Sequence, residues 1–233
     1  MRKRFPQMIP FPKSLPMKSI IFANGEFCPP ENPIKIHGEN LVIAADGGSR
    51  HLQILGIKPD VLIGDLDSTS PDLIKDWQKA GVTIIRHPAR KDQTDLELAL
   101  FYAQENGAEQ IEVYGAVGGR LDMSYGNLLL LAHPDHTAEI KLLCDEEEVQ
   151  VLREGHKITI NGSRGDIVSL LSLQPGQSRI TTKGLEYPLK NGNLAFGSTR
   201  GISNRLADDQ ATIQLNAGLL AVIQTQTKNS EEE

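Results

Sequence analysis

The chain has 233 residues, 39% of them hydrophobic and 21 of them glycine, an ordinary make-up for one large globular domain or two small ones. A formal net charge of −6 leaves no basic face for nucleic acid, and no apolar run approaches the length of a membrane span. Cys28 and Cys144 lie far apart and read as free thiols in a reducing compartment, which places the protein in the cytoplasm.

Residues 1–18 carry Arg2, Lys3, Arg4, Lys13 and Lys18, four prolines and no acid, so they read as a disordered basic tail with Met17 as an alternative start. Ser19–Ala23 reads as a strand ended by the turn Asn24-Gly25, and a loop runs from Pro29 to Pro33. Leu41–Ala45 is a second buried strand that runs into Asp46-Gly47-Gly48, and a helix follows from Ser49 to Leu55. Val61-Leu62-Ile63 ends at Gly64 as a strand buried on both faces, followed at once by Asp65-Leu66-Asp67-Ser68. Ser70-Pro71 opens a helix that carries Trp77 as a core residue, and Thr83–Arg86 is a further strand. Thr94-Asp95-Leu96-Glu97 is a capping box for a helix to about Asn106. Strand Ile111–Tyr114, loop Gly115–Arg120, helix Asp122–Ala132 and strand Ile140–Cys144 complete an alternating β/α half.

After Cys144 the helical pattern stops. Short β-rich runs follow at Val149–Leu152, Lys157–Ile160, Ile167–Leu173, Arg179–Thr182, Leu185–Leu189, Ala211–Leu215 and Leu219–Gln224. The expected architecture is an α/β domain with a three-layer parallel sheet over residues 19–145. An all-β sandwich or barrel follows over 146–228, and then an acidic tail, 229–233.

Asp46, Asp65, Asp67, Asp95 and Asp122 each fall just after a strand or at the start of the next helix, with Asp92 and Arg120 beside them in sequence. In an open α/β sheet, ligands bind beyond the carboxyl ends of the strands, so these groups would line one crevice. Period-two geometry would point Asp65 and Asp67 the same way and turn Leu66 back to the protein. Carboxylates so close repel one another unless a cation lies between them, and a hard divalent ion is the natural partner. Aspartate also caps helices and turns for local reasons, which accounts for Asp72 and for part of Asp95. Gly118-Gly119 would let backbone approach phosphate, and Arg120 would stabilise charge on phosphoryl oxygens. No P-loop, dinucleotide fingerprint or Gly-x-Ser-x-Gly elbow occurs.

In this order, Ala45-Asp46-Gly47-Gly48, Gly64-Asp65-Leu66-Asp67-Ser68, Lys91-Asp92-Gln93-Thr94-Asp95, Gly118-Gly119-Arg120-Leu121-Asp122 and Gly201-Ile202-Ser203-Asn204 resemble the thiamine pyrophosphokinase family. The resemblance runs from about residue 19 to 226 and implies transfer of the pyrophosphoryl group of ATP to thiamine, with Mg²⁺, in a homodimer whose active site lies between subunits. By resemblance Asp65, Asp67 and Asp95 are metal-site carboxylates, and Arg120 and Asp122 join them as catalytic residues. Asp46, Gln93, Thr94, Ser203 and Asn204 contact substrate; Gly47, Gly48, Ser68, Gly118 and Gly119 join Arg120 at the nucleotide. Met123 stands where members often carry histidine, and Arg205-Leu206 where some carry a tryptophan for stacking on thiamine. The residues by themselves leave open a pyrophosphokinase for another alcohol such as a hydroxymethylpterin, a Mg²⁺-dependent phosphohydrolase, and a non-catalytic thiamine- or nucleotide-binding regulator.

Overall fold

A computed structural model describes residues 17–27 and 33–227. Most of the basic tail, Cys28, the loop between Pro29 and Asn32 and the acidic tail lie outside the described residues. The chain divides into two compact units, Met1–Asp145 and Glu146–Glu233.

The first unit takes strands β1 (Met17–Phe22), β2 (Leu41–Ala45), β3 (Val61–Gly64), β4 (Thr83–Arg86), β5 (Ala108–Tyr114) and β6 (Glu139–Cys144). Its helices are α1 (Ser49–Leu55), α2 (Pro71–Lys79), α3 (Asp95–Glu105) and α4 (Leu121–Leu130), with a 3₁₀ turn at Asp46–Gly48. The caps form where the sequence signals them. Ser70 Oγ accepts the Leu73 N–H at 3.2 Å, and Thr94 Oγ1 accepts the Glu97 N–H at 3.2 Å. Helix α1 ends on Gly56 in the left-handed region (φ 66).

The six strands pair in parallel in the order β6-β5-β1-β2-β3-β4. Ile20, Phe22, Val42, Ala44 and Leu62 share a cluster with Leu52 of α1 and with Ile74 and Trp77 of α2. The alternate residues Ile21, Ile43 and Ile63, all fully buried, face the other side, where α3 packs across β1, β2, β3 and β5. Helices therefore cover both faces, which is why β1 to β3 read as continuous apolar runs. Each of these buried aliphatic side chains contributes about 1.5–3 kcal/mol relative to exposure.

The second unit takes β7 (Glu147–Arg153), β8 (Lys157–Asn161), β9 (Ile167–Ser172), β10 (Gln177–Lys183), β11 (Gly192–Ala195), β12 (Asn204–Arg205), β13 (Gln210–Ala217) and β14 (Leu219–Thr225). Antiparallel pairing gives β12-β9-β14-β7 and β11-β10-β13-β8. Leu152, Val168, Leu170, Leu220 and Val222 from the first group meet Ile160, Ile180, Leu194, Ile213 and Leu215 from the second in one core, a sandwich.

Two local expectations change. Leu185–Leu189 is not a strand: only Leu185 bridges, to Leu206, and Pro188 has no N–H to extend a ladder. The short strands β11 and β12 had no alternating apolar signal to mark them. Strands β2, β3 and β4 keep their expected bounds, while β5, β6, β7, β8, β10, β13 and β14 run one to three residues further, since polar end residues still pair through backbone.

Candidate active site

The order β6-β5-β1-β2-β3-β4 starts in the middle. The chain adds β2 to β4 on one side of β1, then returns to place β5 on the other. The strand order thus reverses between β1 and β5, the place where open α/β sheets leave a crevice at the carboxyl ends. A cleft of about 370 Å³ lies there, lined by Asn24, Glu26, Arg50, Asp95, Gly119 and Arg120 among others.

Next to it the acidic groups converge. Asp46, Asp65 and Asp67 each offer a carboxylate oxygen, and these oxygens all lie within 4.8 Å of one another. Asp46 is 4% exposed and sits at φ 41; Leu66, between the other two aspartates, is 5% exposed at φ 64. The Asp65–Asp67 segment is therefore a turn with a left-handed centre. Leu66 anchors it inward as expected, through that turn rather than through strand periodicity. Of the five non-glycine residues at positive φ among the described residues, Asp46, Leu66 and Ser203 fall at candidate site positions. Such strain concentrates where geometry serves function.

Burial raises the Asp46 pKa, with the charges of Asp95 and Asp67 adding to the rise and Ser68 opposing it, first through its side chain and then through its N–H at 3.4 Å. No lysine or arginine pairs with Asp46 among the described residues. An all-oxygen donor set with one buried, uncompensated carboxylate fits a hard divalent cation.

Asp95 is not in that group. Its Oδ1 lies 2.9 Å from Lys91 Nζ, four residues earlier in the loop before α3, an ion pair whose angle is not that of a hydrogen bond. The same ammonium lies 4.0 Å from Asp65 Oδ2. Of the carboxylates expected at a metal, Asp65 and Asp67 thus lie with Asp46 in this geometry, while Asp95 faces Lys91. Ser68 donates from Oγ to Asp67 at 2.9 Å. Gly64, between these groups, sits at φ 146; a Cβ there would come 2.9 Å from Asp46 Cβ and 3.0 Å from Asp95 Oδ1.

The glycines expected at the nucleotide have local duties. A Cβ on Gly48 would lie 1.9 Å from the Phe22 carbonyl oxygen, so this glycine lets the turn after β2 pass against the end of β1. Gly119 N–H donates to Glu26 Oε1 at 2.9 Å, and Gly118 N–H to Ser124 Oγ at 3.0 Å. Arg120 and Asp122 form an exposed fork-to-fork pair at 3.1 and 2.6 Å, which holds the guanidinium pKa up and the carboxyl pKa down. Gln93 is exposed, and Thr94 serves as the α3 cap.

In the second unit, Asn204 Oδ1 accepts the Tyr187 N–H at 3.1 Å and its Nδ2 donates to the Tyr187 carbonyl at 2.9 Å. Ser203 N–H donates to Ser169 Oγ at 3.1 Å. The Ser-Asn pair thus fixes a loop that presents Tyr187, 71% exposed, an aromatic surface that the sequence reading missed. Glu26 and Arg50 were missed as well. Arg50 donates to Asn24 Oδ1 and to the Gly47 carbonyl, and only the Asn24-Gly25 turn signal hinted at this corner.

Comparison with known proteins fits this geometry. The family model described as thiamin pyrophosphokinase, catalytic domain, matches residues 35–144, and the one described as thiamin pyrophosphokinase, vitamin B1 binding domain, matches residues 155–220. Thiamine pyrophosphokinase of Bacillus subtilis (strain 168) is 32% identical over 186 residues, 79% of this chain and 87% of that protein. Thiamine pyrophosphokinase 1 of Arabidopsis thaliana is 33% identical over 176 residues, 71% of this chain and 65% of that protein. The crystal structure of the Bacillus subtilis protein superposes with a TM-score of 0.77 at 28% identity, covering 91% of this chain and all of that one. That from Geobacillus thermodenitrificans superposes with a TM-score of 0.74 at 27% identity, covering 92% of this chain and 99% of that one.

Proposed function

We infer that this chain, which belongs to the thiamine pyrophosphokinase family, transfers the pyrophosphoryl group of ATP to the hydroxyl of thiamine, giving thiamine diphosphate and AMP. The observation that carries the reading is the convergence of Asp46, Asp65 and Asp67 at the carboxyl ends of a parallel sheet, in a chain whose two halves match the two domains of that family.

In the proposed mechanism the thiamine oxygen attacks the β-phosphorus in line. A bond from that oxygen to phosphorus forms, the bond from the β-phosphorus to the α-phosphate oxygen breaks, the hydroxyl proton leaves, and AMP departs. Such reactions depend mainly on positioning and electrostatics. Asp46, Asp65 and Asp67 would hold Mg²⁺, which when bound neutralises polyphosphate oxygens and relieves their repulsion of the attacking oxygen. Asp95, at the first turn of α3, stands beside that group as a further acidic partner or as acceptor of the hydroxyl proton. Arg120, held ready by Asp122, would exchange that carboxylate for the charge passing to AMP. Gly47, Gly48, Ser68, Gly118 and Gly119 shape the backbone around the nucleotide, and Gln93 and Thr94 border the transferred group.

Thiamine is assigned to Ser203, Asn204 and the Tyr187 ring that Asn204 positions. The active form is a homodimer with its active site at the subunit interface. Supporting this, α4 leaves Leu121, Tyr125 and Leu129 exposed, and the second unit leaves Tyr187, Phe196 and Ile202 exposed. No helix among the described residues is long and apolar enough to cross a membrane. The reducing cytoplasm is assigned on the use of only two cysteines, too few for a disulfide framework.

The test is an incubation of purified protein with ATP, Mg²⁺ and thiamine. AMP and thiamine diphosphate should appear in equal amounts, and neither in the presence of EDTA. AMP without thiamine diphosphate would refute the acceptor, and no AMP would refute catalysis.

A further inference from the structure

Lys91 belongs to a segment that the sequence resemblance singled out, yet the mechanism above gives it no task. Its side chain is only 12% exposed, which is unusual for a lysine unless its charge is met. What meets it is the acidic corner itself: Asp95 Oδ1 at 2.9 Å and Asp65 Oδ2 at 4.0 Å, with side chains 26% and 17% exposed. Arg86, the neighbouring cation, donates to the Asp65 backbone carbonyl at 3.3 Å and leaves the carboxylate to Lys91.

We propose that Lys91 is a resident counter-cation of the carboxylate site, a positioning residue that holds Asp65 and Asp95 in place and competes with the divalent cation for them. The proposal rests on the reading of Asp46, Asp65 and Asp67 as the metal site. Its physical basis is charge. Four carboxylates gathered around Gly64 repel one another, and among the described residues the partly buried Lys91 ammonium is the cation paired with them. The same ammonium repels a divalent ion that arrives beside it, so metal entry must drive Lys91 off Asp65. Lys91 follows Arg90 in the loop before α3 and has a flexible four-carbon stem, so it can swing without moving the helix.

Mn²⁺ is the probe, titrated into the nucleotide-free protein and followed by loss of the free-ion electron paramagnetic resonance signal. Lys91→Met keeps the length and removes the charge; it should bind Mn²⁺ roughly tenfold more tightly than the parent, while Lys91→Arg should stay near the parent. Without metal, Lys91→Met should melt at a lower temperature than the parent and recover as Mn²⁺ is added. Equal Mn²⁺ affinity in the parent and Lys91→Met would overturn the proposal and leave the metal-site reading standing. No Mn²⁺ binding by the parent would overturn both. If Lys91→Met does not fold, the unaltered protein answers through reductive dimethylation of Lys91, read by peptide mass. Mn²⁺ should speed that labelling several-fold by expelling the ammonium from its carboxylates, and an unchanged rate would overturn the proposal.

Discussion

Replacing Gly64 with alanine tests whether the acidic corner has the geometry described. At φ 146 the backbone is in a region that L residues rarely adopt, and the new methyl would lie 2.9 Å from Asp46 Cβ and 3.0 Å from Asp95 Oδ1. Backbone strain of this kind costs about 1–3 kcal/mol. Forcing a methyl into a filled space costs about 1–3 kcal/mol more. The sum, about 2–6 kcal/mol, corresponds to a fall in the melting midpoint of about 4–24 °C for a chain of this size. The catalytic loss should be larger in proportion. Relief of the clash must move Asp46 or Asp95, and a displacement near an ångström costs on the order of 100-fold in turnover. Gly56→Ala is the control: at φ 66 with nothing within 4 Å of the added methyl, it carries backbone strain alone and lies away from the site. Thermal unfolding and steady-state formation of thiamine diphosphate at 25 °C would be measured for both variants. A Gly64→Ala protein that melts no lower than Gly56→Ala and turns over like the parent would refute the geometry.

Asp67→Asn should leave the melting midpoint within a few degrees of the parent, because the side chain is exposed, and should abolish turnover; retained activity would remove Asp67 from the metal site. Asp46→Asn should behave differently, because burial raises that carboxyl above its ordinary value of 3.8. The folded state then keeps the proton at a pH where the unfolded chain has lost it. The Asp46 contribution to stability is therefore full below 3.8 and is lost as pH rises through the folded value. At neutral pH without divalent ions, Asp46→Asn should melt higher than the parent, with the gap closing as pH falls toward the ordinary carboxylate range. A gap that does not change between acid and neutral pH would contradict this. Tyr187→Ala should raise the KM for thiamine about tenfold while leaving the KM for ATP unchanged, and Tyr187→Phe should restore it. Equal effects on both substrates would exclude the ring as a thiamine contact.

The sequence by itself determined the element pattern. Apolar runs ending in Asp46 and Asp65, the Ser70-Pro71 and Thr94 caps and the loss of helical period after Cys144 are local signals, set by side-chain period and backbone chemistry. They gave an α/β half and a β half, and they marked Asp46, Asp65, Asp67, Asp95 and Asp122 as residues at strand ends or helix starts. Strand order is not local. That β1 lies between β2 and β5, and so creates the crevice, depends on contacts between residues nearly a hundred positions apart. Which carboxylates converge was decided in the same way. Asp46 joins Asp65 and Asp67 because β2 and β3 are neighbours that end at the same level, with Ala45 paired to Ile63. Asp95, at the start of α3, is claimed by Lys91, four residues earlier in the loop before it. Tyr187 follows the same rule: two hydrogen bonds between its backbone and the side-chain amide of Asn204, seventeen residues on, hold the loop that carries the exposed ring. Period and capping act within a few residues and can be read along a line, whereas electrostatic partnership depends on distance in space, which only the folded chain sets.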